Sequence, residues 1–433
     1  MAHRDMRDVV IIDGFRTPFA KAGTALARVR ARDLGRVAVT ETIARHGVDP
    51  GEIDEVIIGN VAQPSDSTNI ARVIALLSGI PERTPAFTVQ RNCASGMESI
   101  VQAHERIAAG HAELVVAGGT ESMSRIPLYM SDGMTKMFER LARAKTLGAR
   151  ASAVAALRPR DFQPRLAIME GLLDPVSGLN MGETAELLAK EFAISREAQD
   201  DFALQSHRRA VAAQDAGRLA EEIVPVFAPP YEQAVAVDVG PRREQTLEAL
   251  GKLRPFFDRR DGTVTVGNAC PVTDGAAAVL VASMEKARSL GLKPAGRIRG
   301  YAFAGLDPAR MGLGPTYATP IALRRAGLAL RDIGLVEMNE AFAAQVIANE
   351  IAMASPKYCR EKLGLPGPIG ELDRSRLNVN GGAIALGHPV GVSGTRLVLT
   401  LLREMRRRDV PVGLATLCVG GGQGAALVLE RAT

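Results

Sequence analysis

Two thiols and one imidazole stand in restrictive settings in this chain. Cys93 lies in Asn92-Cys93-Ala94-Ser95-Gly96 and Cys418 in Cys418-Val419-Gly420-Gly421-Gly422. His388, one of only 6 histidines, lies in Gly387-His388-Pro389. Together they point to acyl-thioester chemistry. Cys93 follows a predicted strand, Phe87-Thr88-Val89-Gln90, and directly precedes a helix predicted over 95–109. A helix start carries partial positive charge and free N–H groups, which lower a thiol pKa and can hold an oxyanion. The competing reading of any single cysteine is a buried structural one, and Cys359, far from any motif, is read that way. His388, fixed between glycines and a proline, is read as a positioned base or oxyanion donor rather than a surface residue. Asn339, in Met338-Asn339-Glu340-Ala341-Phe342, fits a helix N-cap, a site residue, or both. His3, His46, His104, His111 and His207 carry no comparable signal.

These groups need elements to bring them together. Val9-Val10-Ile11-Ile12 reads as a fully buried strand, and Ile57-Ile58 and Leu114-Val115-Val116 as two more. The helix over 95–109 carries Met97, Ile100, Val101, Ile107 and Ala108 on neighbouring turns, giving one apolar face. Strands alternating with helices predict a parallel-rich sheet covered on both faces. The second half of the chain replays this order. Arg297-Ile298-Arg299 opens a strand, 333–338 resembles the segment at Ile53, and Ser393-Gly394 starts a helix as Ser95-Gly96 does. The stretch 412–417 then parallels 113–117. Its strand leads through the Gly420-Gly421-Gly422 turn straight into 425–429. The matching strands of the first half, ending at Ala117-Gly118-Gly119 and resuming over 275–281, stand about 150 residues apart. That connection has accepted an insertion, expected to form its own subdomain over 122–257 with helices over 181–192 and 196–214.

Bulk properties narrow the class. At 433 residues the chain exceeds one ordinary core. The 43 glycines, 4% aromatics and absence of Trp favour tight helix–strand layers over an aromatic binding surface. Mean hydropathy is +0.04, and the net charge of +5 comes with a pI near 9.1. So small an excess, without aromatic interleaving, suits a basic rim for a phosphorylated small molecule better than nucleic acid. The 4 cysteines form no C-x-x-C pair, so no metal site is expected. Reduced thiols suit a cytoplasmic protein. The stretch 1–8 contains no apolar run typical of a secretory signal, and no segment reaches the roughly 18–20 apolar residues of a transmembrane helix.

The motifs Asn92-Cys93-Ala94-Ser95-Gly96, Asn339-Glu340-Ala341-Phe342, Gly381-Gly382-Ala383-Ile384-Ala385-Leu386-Gly387-His388-Pro389 and Cys418-Val419-Gly420-Gly421-Gly422-Gln423-Gly424, in this order, resemble those of the thiolases. Arg16-Thr17-Pro18-Phe19, Gly118-Gly119-Thr120-Glu121-Ser122-Met123-Ser124, Met181-Gly182-Glu183-Thr184, Lys252-Leu253-Arg254-Pro255 and Asp274-Gly275-Ala276-Ala277 extend the resemblance along the whole chain. It implies an α/β, five-layer αβαβα fold made of two duplicated βαβαβαββ halves. The first half would occupy 1–121 and 258–290, the inserted loop domain 122–257 and the second half 291–433.

The resemblance also implies roles. Cys93 would be the nucleophile that carries the acyl group. His388 would activate it and, with a water held by Asn339, stabilise the thioester enolate. Cys418 would move the proton at the acetyl-CoA methyl carbon, and the amides of Cys93 and Gly420 would form a second oxyanion hole. CoA, a substrate rather than a cofactor, would lie against Met181, Gly267, Cys270 and Phe342, with Arg242 near its nucleotide end. Two positions depart from the family's pattern. Asn180 stands where a His often precedes Met-Gly, and Cys270 stands where a Ser commonly contacts the pantetheine.

The implied activity is that of an acetyl-CoA C-acyltransferase, or 3-ketoacyl-CoA thiolase, in fatty acid β-oxidation. The rival within the family is an acetoacetyl-CoA-specific acetyltransferase. The decarboxylating ketoacyl synthases are disfavoured by Cys418, since decarboxylation makes a carbanion without a second thiol base. A non-catalytic scaffold is disfavoured because all catalytic positions are filled. Family members imply a homodimer or homotetramer. The long stretch 126–180, with Lys136, Arg140, Arg143, Lys145, Arg150, Arg158, Arg160 and Arg165, resembles the thiolase subunit of β-oxidation trifunctional complexes. It reads either as a solvated basic face or as a surface for peripheral membrane contact or a hydratase–dehydrogenase alpha subunit.

Overall fold

The computed structural model describes residues 7–432, so His3 and most of the stretch read for a leader lie outside the described residues. The first half runs β1 (Val9–Arg16), α1 (Ala31–Arg45), β2 (Glu55–Gly59), α2 (Ile70–Leu77), β3 (Ala86–Val89), α3 (Ser95–Ala108) and β4 (Leu114–Ser122). The insertion contributes α4 (Asp132–Arg143), α5 (Leu147–Ala155), α6 (Met181–Glu191) and α7 (Arg196–Asp215) before β5 (Thr273–Ser283) completes the half. The second half runs β6 (Gly296–Gly305), α8 (Gly314–Ala326), β7 (Leu335–Met338), α9 (Ala343–Ala354), α10 (Ser393–Arg407), β8 (Val412–Val419) and β9 (Gln423–Arg431).

Strand order states the duplication directly. The path β7-β8-β9-β6-β1-β5-β4-β2-β3 is two copies of one pattern set back to back. In each copy a parallel pair (β2·β4, β7·β8) leads into two antiparallel pairs (β4·β5 and β5·β1; β8·β9 and β9·β6). The copies touch edge to edge through one pair, Ile11 opposite Gly296.

The two halves differ at one expected strand. The counterpart of β3 is reduced to an isolated bridge between Val336 and Leu377. The reason lies in Asn378, whose backbone turns into the left-handed region at φ 46°. Its side-chain amide replaces the next rung of the ladder, accepting from the Met338 N–H at 2.8 Å and donating to the Met338 carbonyl at 2.9 Å. The chain is thereby released towards the His388 loop instead of continuing as a strand.

Strand alternation builds the layers. Val9 and Ile11 of β1 face inward with Ile57, Val115 and Ala117, and Leu335, Ala415, Leu417 and Leu427 do the same from the other half. Between them lie α3, through Met97, Ile100 and Val101, and α10, through Leu397, Leu401 and Met405. The opposite faces bury Val10, Ile12, Val56 and Val116 under α1 and α2, and Val336, Met338, Leu414 and Val428 under α8 and α9. The order is therefore helices, sheet, central helices, sheet, helices. Fully buried strands of this kind read as near-continuous apolar runs.

The insertion does not form one unit over 122–257. Arg125–Leu173 is a compact unit of its own, whereas everything from Asp174 belongs to the main body. The physical reason is burial: α6 and α7 place Ala185, Leu188, Phe202 and Leu204 in the same apolar cluster as α9. Farther along, Glu222 and Asp238 both bind the fully buried Arg16 guanidinium, at 2.6 and 2.7 Å. Within the 125–173 unit, α4 and α5 bury Met137 and Ala153, and a short ribbon pairs Leu128–Tyr129 with Arg165–Leu166.

Candidate active site

Cys93 occupies the turn between β3 and α3. Asn92 adopts φ 43°, the Ala94 N–H bonds to the Arg91 carbonyl at 2.9 Å, and Ser95 Oγ accepts the Arg91 N–H at 2.9 Å. Asn92 Nδ2 donates to the Gly420 carbonyl at 2.8 Å, lacing this turn to the glycine turn after β8. The backbone N–H groups of Gly420 and of Cys93 itself favour the thiolate. Burial nevertheless pushes the thiol up, and these two donors only oppose it. The expected lowering by the helix start is therefore overturned in the free protein, and the thiolate must form with help from a base.

His388 follows Gly387, whose φ of 108° lets the chain pass against Thr273. Its ring is buried, with Nδ1 2.5 Å from Ser393 Oγ. In the tautomer in which the Ser393 hydroxyl donates to the Pro389 carbonyl, at 3.3 Å, Nδ1 carries the imidazole proton and Nε2 a lone pair. Nε2 has no partner. Burial, with the Arg396 charge second, lowers the imidazole to about 4, so it rests neutral and ready to accept a proton.

Asn339 directly follows β7, its N–H on the Thr416 carbonyl at 3.0 Å and both atoms of its buried amide unpartnered among the described residues. Buried polar groups are seldom left bare, and a donor and acceptor side by side suit an ordered water. Cys418 is buried on β8 two residues beyond Thr416. Burial pushes its thiol far up, and the proximity of Cys93 and Cys270 adds to this. Such a group holds its proton until a carbanion or a strong base takes it.

One geometric device brings the halves together. The duplicated Ser-Gly steps at the starts of α3 and α10 cross each other. A Cβ on Gly96 would stand 2.5 Å from Thr395 Oγ1, and one on Gly394 would overlap the Met97 amide nitrogen. Only glycines permit this approach. The helix start carrying Cys93 thus abuts the helix start that holds His388 through Ser393.

The remaining sequence-derived positions divide. Met181, the first residue of α6, has its sulfur 3.3 Å from where a Gly420 Cβ would be. The segment around Cys270 runs between two motifs: the Cys270 N–H bonds to the Ala341 carbonyl at 3.0 Å, Ala269 pairs with Phe342, and Val272 pairs with His388. Burial, then Cys93, pushes the Cys270 thiol up to about 12. Phe342 packs edge-on against Phe257 at 6.0 Å. Gly267 lets its loop run close over Leu250 and Leu253. Arg242 is exposed, and its N–H donates to His207 Nδ1 at 3.2 Å. Asn180 caps α6, accepting from the Gly182 and Glu183 N–H groups at 3.0 Å each.

Residues 9–285 match the family model "Thiolase, N-terminal domain" and residues 292–431 match "Thiolase, C-terminal domain". The chain belongs to the thiolase family. The 3-ketoacyl-CoA thiolase of Pectobacterium atrosepticum is 43% identical over 98% of this chain and 96% of its own. Human mitochondrial 3-ketoacyl-CoA thiolase in complex with CoA has a TM-score of 0.84 and 39% identity, over 98% of each chain. Bacillus anthracis acetyl-CoA acetyltransferase has a TM-score of 0.85 and 38% identity, over 99% of this chain and 100% of that one.

Reasoning from this thiolase's sequence passed over two buried carboxylates. Glu340 accepts from Ser206 Oγ at 2.6 Å, Asn378 Nδ2 at 2.8 Å and the Ile384 N–H at 3.2 Å, so it anchors the glycine loop that leads to His388. Glu121 holds the other side of that loop. Both lie inside recognised motifs, but nothing in their spacing shows which distant amides they meet.

Proposed function

We propose that this thiolase cleaves 3-oxoacyl-CoA with CoA, releasing acetyl-CoA and an acyl-CoA two carbons shorter. The observation that carries the reading is the pair of unpartnered buried groups, His388 Nε2 and the Asn339 amide, in a molecule where the Cys93 turn is laced to the Gly420 turn and its helix start abuts that of Ser393. Curated relatives named 3-ketoacyl-CoA thiolase support it.

His388 Nε2 takes the Cys93 proton, and the thiolate attacks the C3 ketone. The oxyanion accepts from the Cys93 and Gly420 amides. The C2–C3 bond breaks, and its electrons delocalise into the departing thioester. The enolate oxygen accepts from the newly protonated Nε2 and from a water held by Asn339, and Cys418 gives its proton to C2. CoA then surrenders its thiol proton to the Cys418 thiolate and attacks the acyl group on Cys93. The departing Cys93 thiolate recovers its proton from His388. We propose that Met181, Cys270 and Phe342 line the pantetheine path, supported by Gly267, and that Arg242 meets the nucleotide end.

Thiolysis rates across 3-oxoacyl-CoA chain lengths test this reading, with activity expected to extend to medium and longer chains in the degradative direction. Activity confined to the four-carbon substrate turns the assignment to an acetoacetyl-CoA thiolase, the reading that the likeness to the Bacillus anthracis enzyme favours. Failure to trap any thioester on Cys93 overturns both.

We also propose a homo-oligomer, a cytoplasmic setting and peripheral attachment to anionic lipid. The edge strand β3 is half-buried along its length, as a strand awaiting a partner would be. The 4 cysteines are free, and no helix among the described residues is long and apolar enough to cross a membrane. Residues 125–173 hold nine Lys/Arg against four Asp/Glu, which equals the whole chain's net +5. The same unit exposes Leu128, Tyr129, Met130, Phe138, Leu147 and Phe162. Basic charge mixed with exposed apolar side chains suits an anionic bilayer surface. Co-sedimentation with anionic vesicles at low salt tests it. No binding there would remove the membrane reading.

A further inference from the structure

Glu121 has no role in the reaction described above, yet it is fully buried near the end of β4. Its two oxygens gather four N–H donors from two segments of the chain, 60–62 and Gly391. Oε1 accepts from Asn60 Nδ2 at 3.0 Å and from the Ala62 N–H at 3.1 Å. Oε2 accepts from the Val61 N–H at 3.0 Å and from the Gly391 N–H at 3.2 Å. Among the described residues no lysine or arginine pairs with it; burial pushes the carboxyl up to about 7, opposed by the Val61, Ala62 and Gly391 amides and the Asn60 side chain.

Gly391 is the informative partner. It lies between Pro389, which follows the imidazole, and Ser393, which holds Nδ1. That stretch is otherwise closed on itself: the Val392 and Ser393 N–H groups both return to the Pro389 carbonyl, at 2.9 and 3.1 Å. Gly391 ties it to the first half of the molecule. Its carbonyl fills the space where a Cβ on Gly96 or Gly119 would stand, and a Cβ on Gly391 would sit 2.8 Å from Glu121 Oε2.

We propose that Glu121 is the positioning residue that sets the His388 loop, and so Nε2, against Cys93. The carboxylate fixes the Gly391 amide relative to β4, and Pro389 and Ser393 pass that constraint to the ring. The proposal rests on His388 acting as the base for Cys93.

The test is alkylation of Cys93 by iodoacetamide, a reaction that needs no substrate, followed on the Cys93 peptide by mass spectrometry. Glu121→Gln keeps the side-chain shape but turns an NH2 group towards two N–H donors. It is expected to slow Cys93 alkylation at neutral pH about tenfold, and to lower kcat of thiolysis by a similar factor with KM for CoA within twofold. Added to His388→Ala, the same change is expected to slow alkylation less than twofold, because both act through one imidazole. Glu121→Asp, which keeps the charge but shortens the reach, is expected to fall between wild type and Glu121→Gln. Unchanged alkylation in Glu121→Gln overturns the proposal, as does an effect that multiplies fully with His388→Ala. Failure of both Glu121 variants to fold also counts against it, since the residue would then serve folding alone. If His388→Ala itself leaves alkylation unchanged, the assignment of His388 as base fails, and this proposal falls with it.

Discussion

At the scale of single residues, the site separates groups that must stay protonated from groups that must not. Cys93→Ala is expected to abolish thiolysis and to prevent any acyl-enzyme from forming, checked by intact mass after incubation with an acyl-CoA. Cys418→Ala is expected to retain Cys93 acylation by acyl-CoA while carbon–carbon cleavage falls by about 10²–10⁴, the usual worth of a positioned acid. Equal loss of both half-reactions would count against that division of labour. The imidazole gives a pH prediction. Its ordinary value of 6.5 falls to about 4 through burial and then the Arg396 charge. The acid limb of kcat/KM is therefore expected to stay flat from pH 7 down to about 5, instead of bending near 6.5. The sign for stability follows. The contribution of this depressed group is complete above 6.5 and is lost as pH falls towards about 4.

At the scale of elements, two helix starts and two loops do the positioning. The α3–α10 crossing leaves no room for a methyl group, because the neighbour of Gly394 is the Met97 backbone rather than a flexible side chain. Gly394→Ala is expected to destabilise by about 1–3 kcal/mol, the usual cost of overpacking. It should also slow Cys93 alkylation, by parting the two helix starts. Urea unfolding measures the first and iodoacetamide kinetics the second. Unchanged stability would mean that the helices slide apart freely. Where the second half lacks its third strand, Asn378 and Glu340 hold the freed chain, so a side-chain amide and a carboxylate replace a ladder of backbone bonds.

At the scale of the whole molecule, the stretch of the insertion beyond Asp174 is built into the main body by buried charge. Arg16 is fully enclosed and binds Asp238 with both terminal nitrogens at 2.7 Å, and Glu222 accepts at 2.6 Å while also meeting Thr400 of α10. Removing one partner of such a network leaves charge buried and uncompensated. Arg16→Met is expected to cost about 3–5 kcal/mol in denaturant unfolding, more than exposed pairs such as Arg45 with Glu41, which are usually worth under about 1 kcal/mol. A loss no larger than for an Arg45 variant would show that water enters the network.

The sequence by itself determined the duplicated α/β layering, since buried strands and amphipathic helices leave periodic apolar patterns. It also singled out the proposed reacting groups, because Cys93, His388, Asn339 and Cys418 sit in motifs whose glycines and proline restrict the local backbone. Only the tertiary structure decided which way the Cys93 thiol shifts, because desolvation depends on what surrounds the sulfur rather than on the helix that follows it. Tertiary packing alone also divided the insertion at Arg125–Leu173, through the apolar cluster shared by α6, α7 and α9. It was likewise packing that joined Glu121 to Gly391, 270 residues away. A hydrogen bond across that distance leaves no periodicity or spacing in the chain, because it exists only once two separate halves have closed on each other.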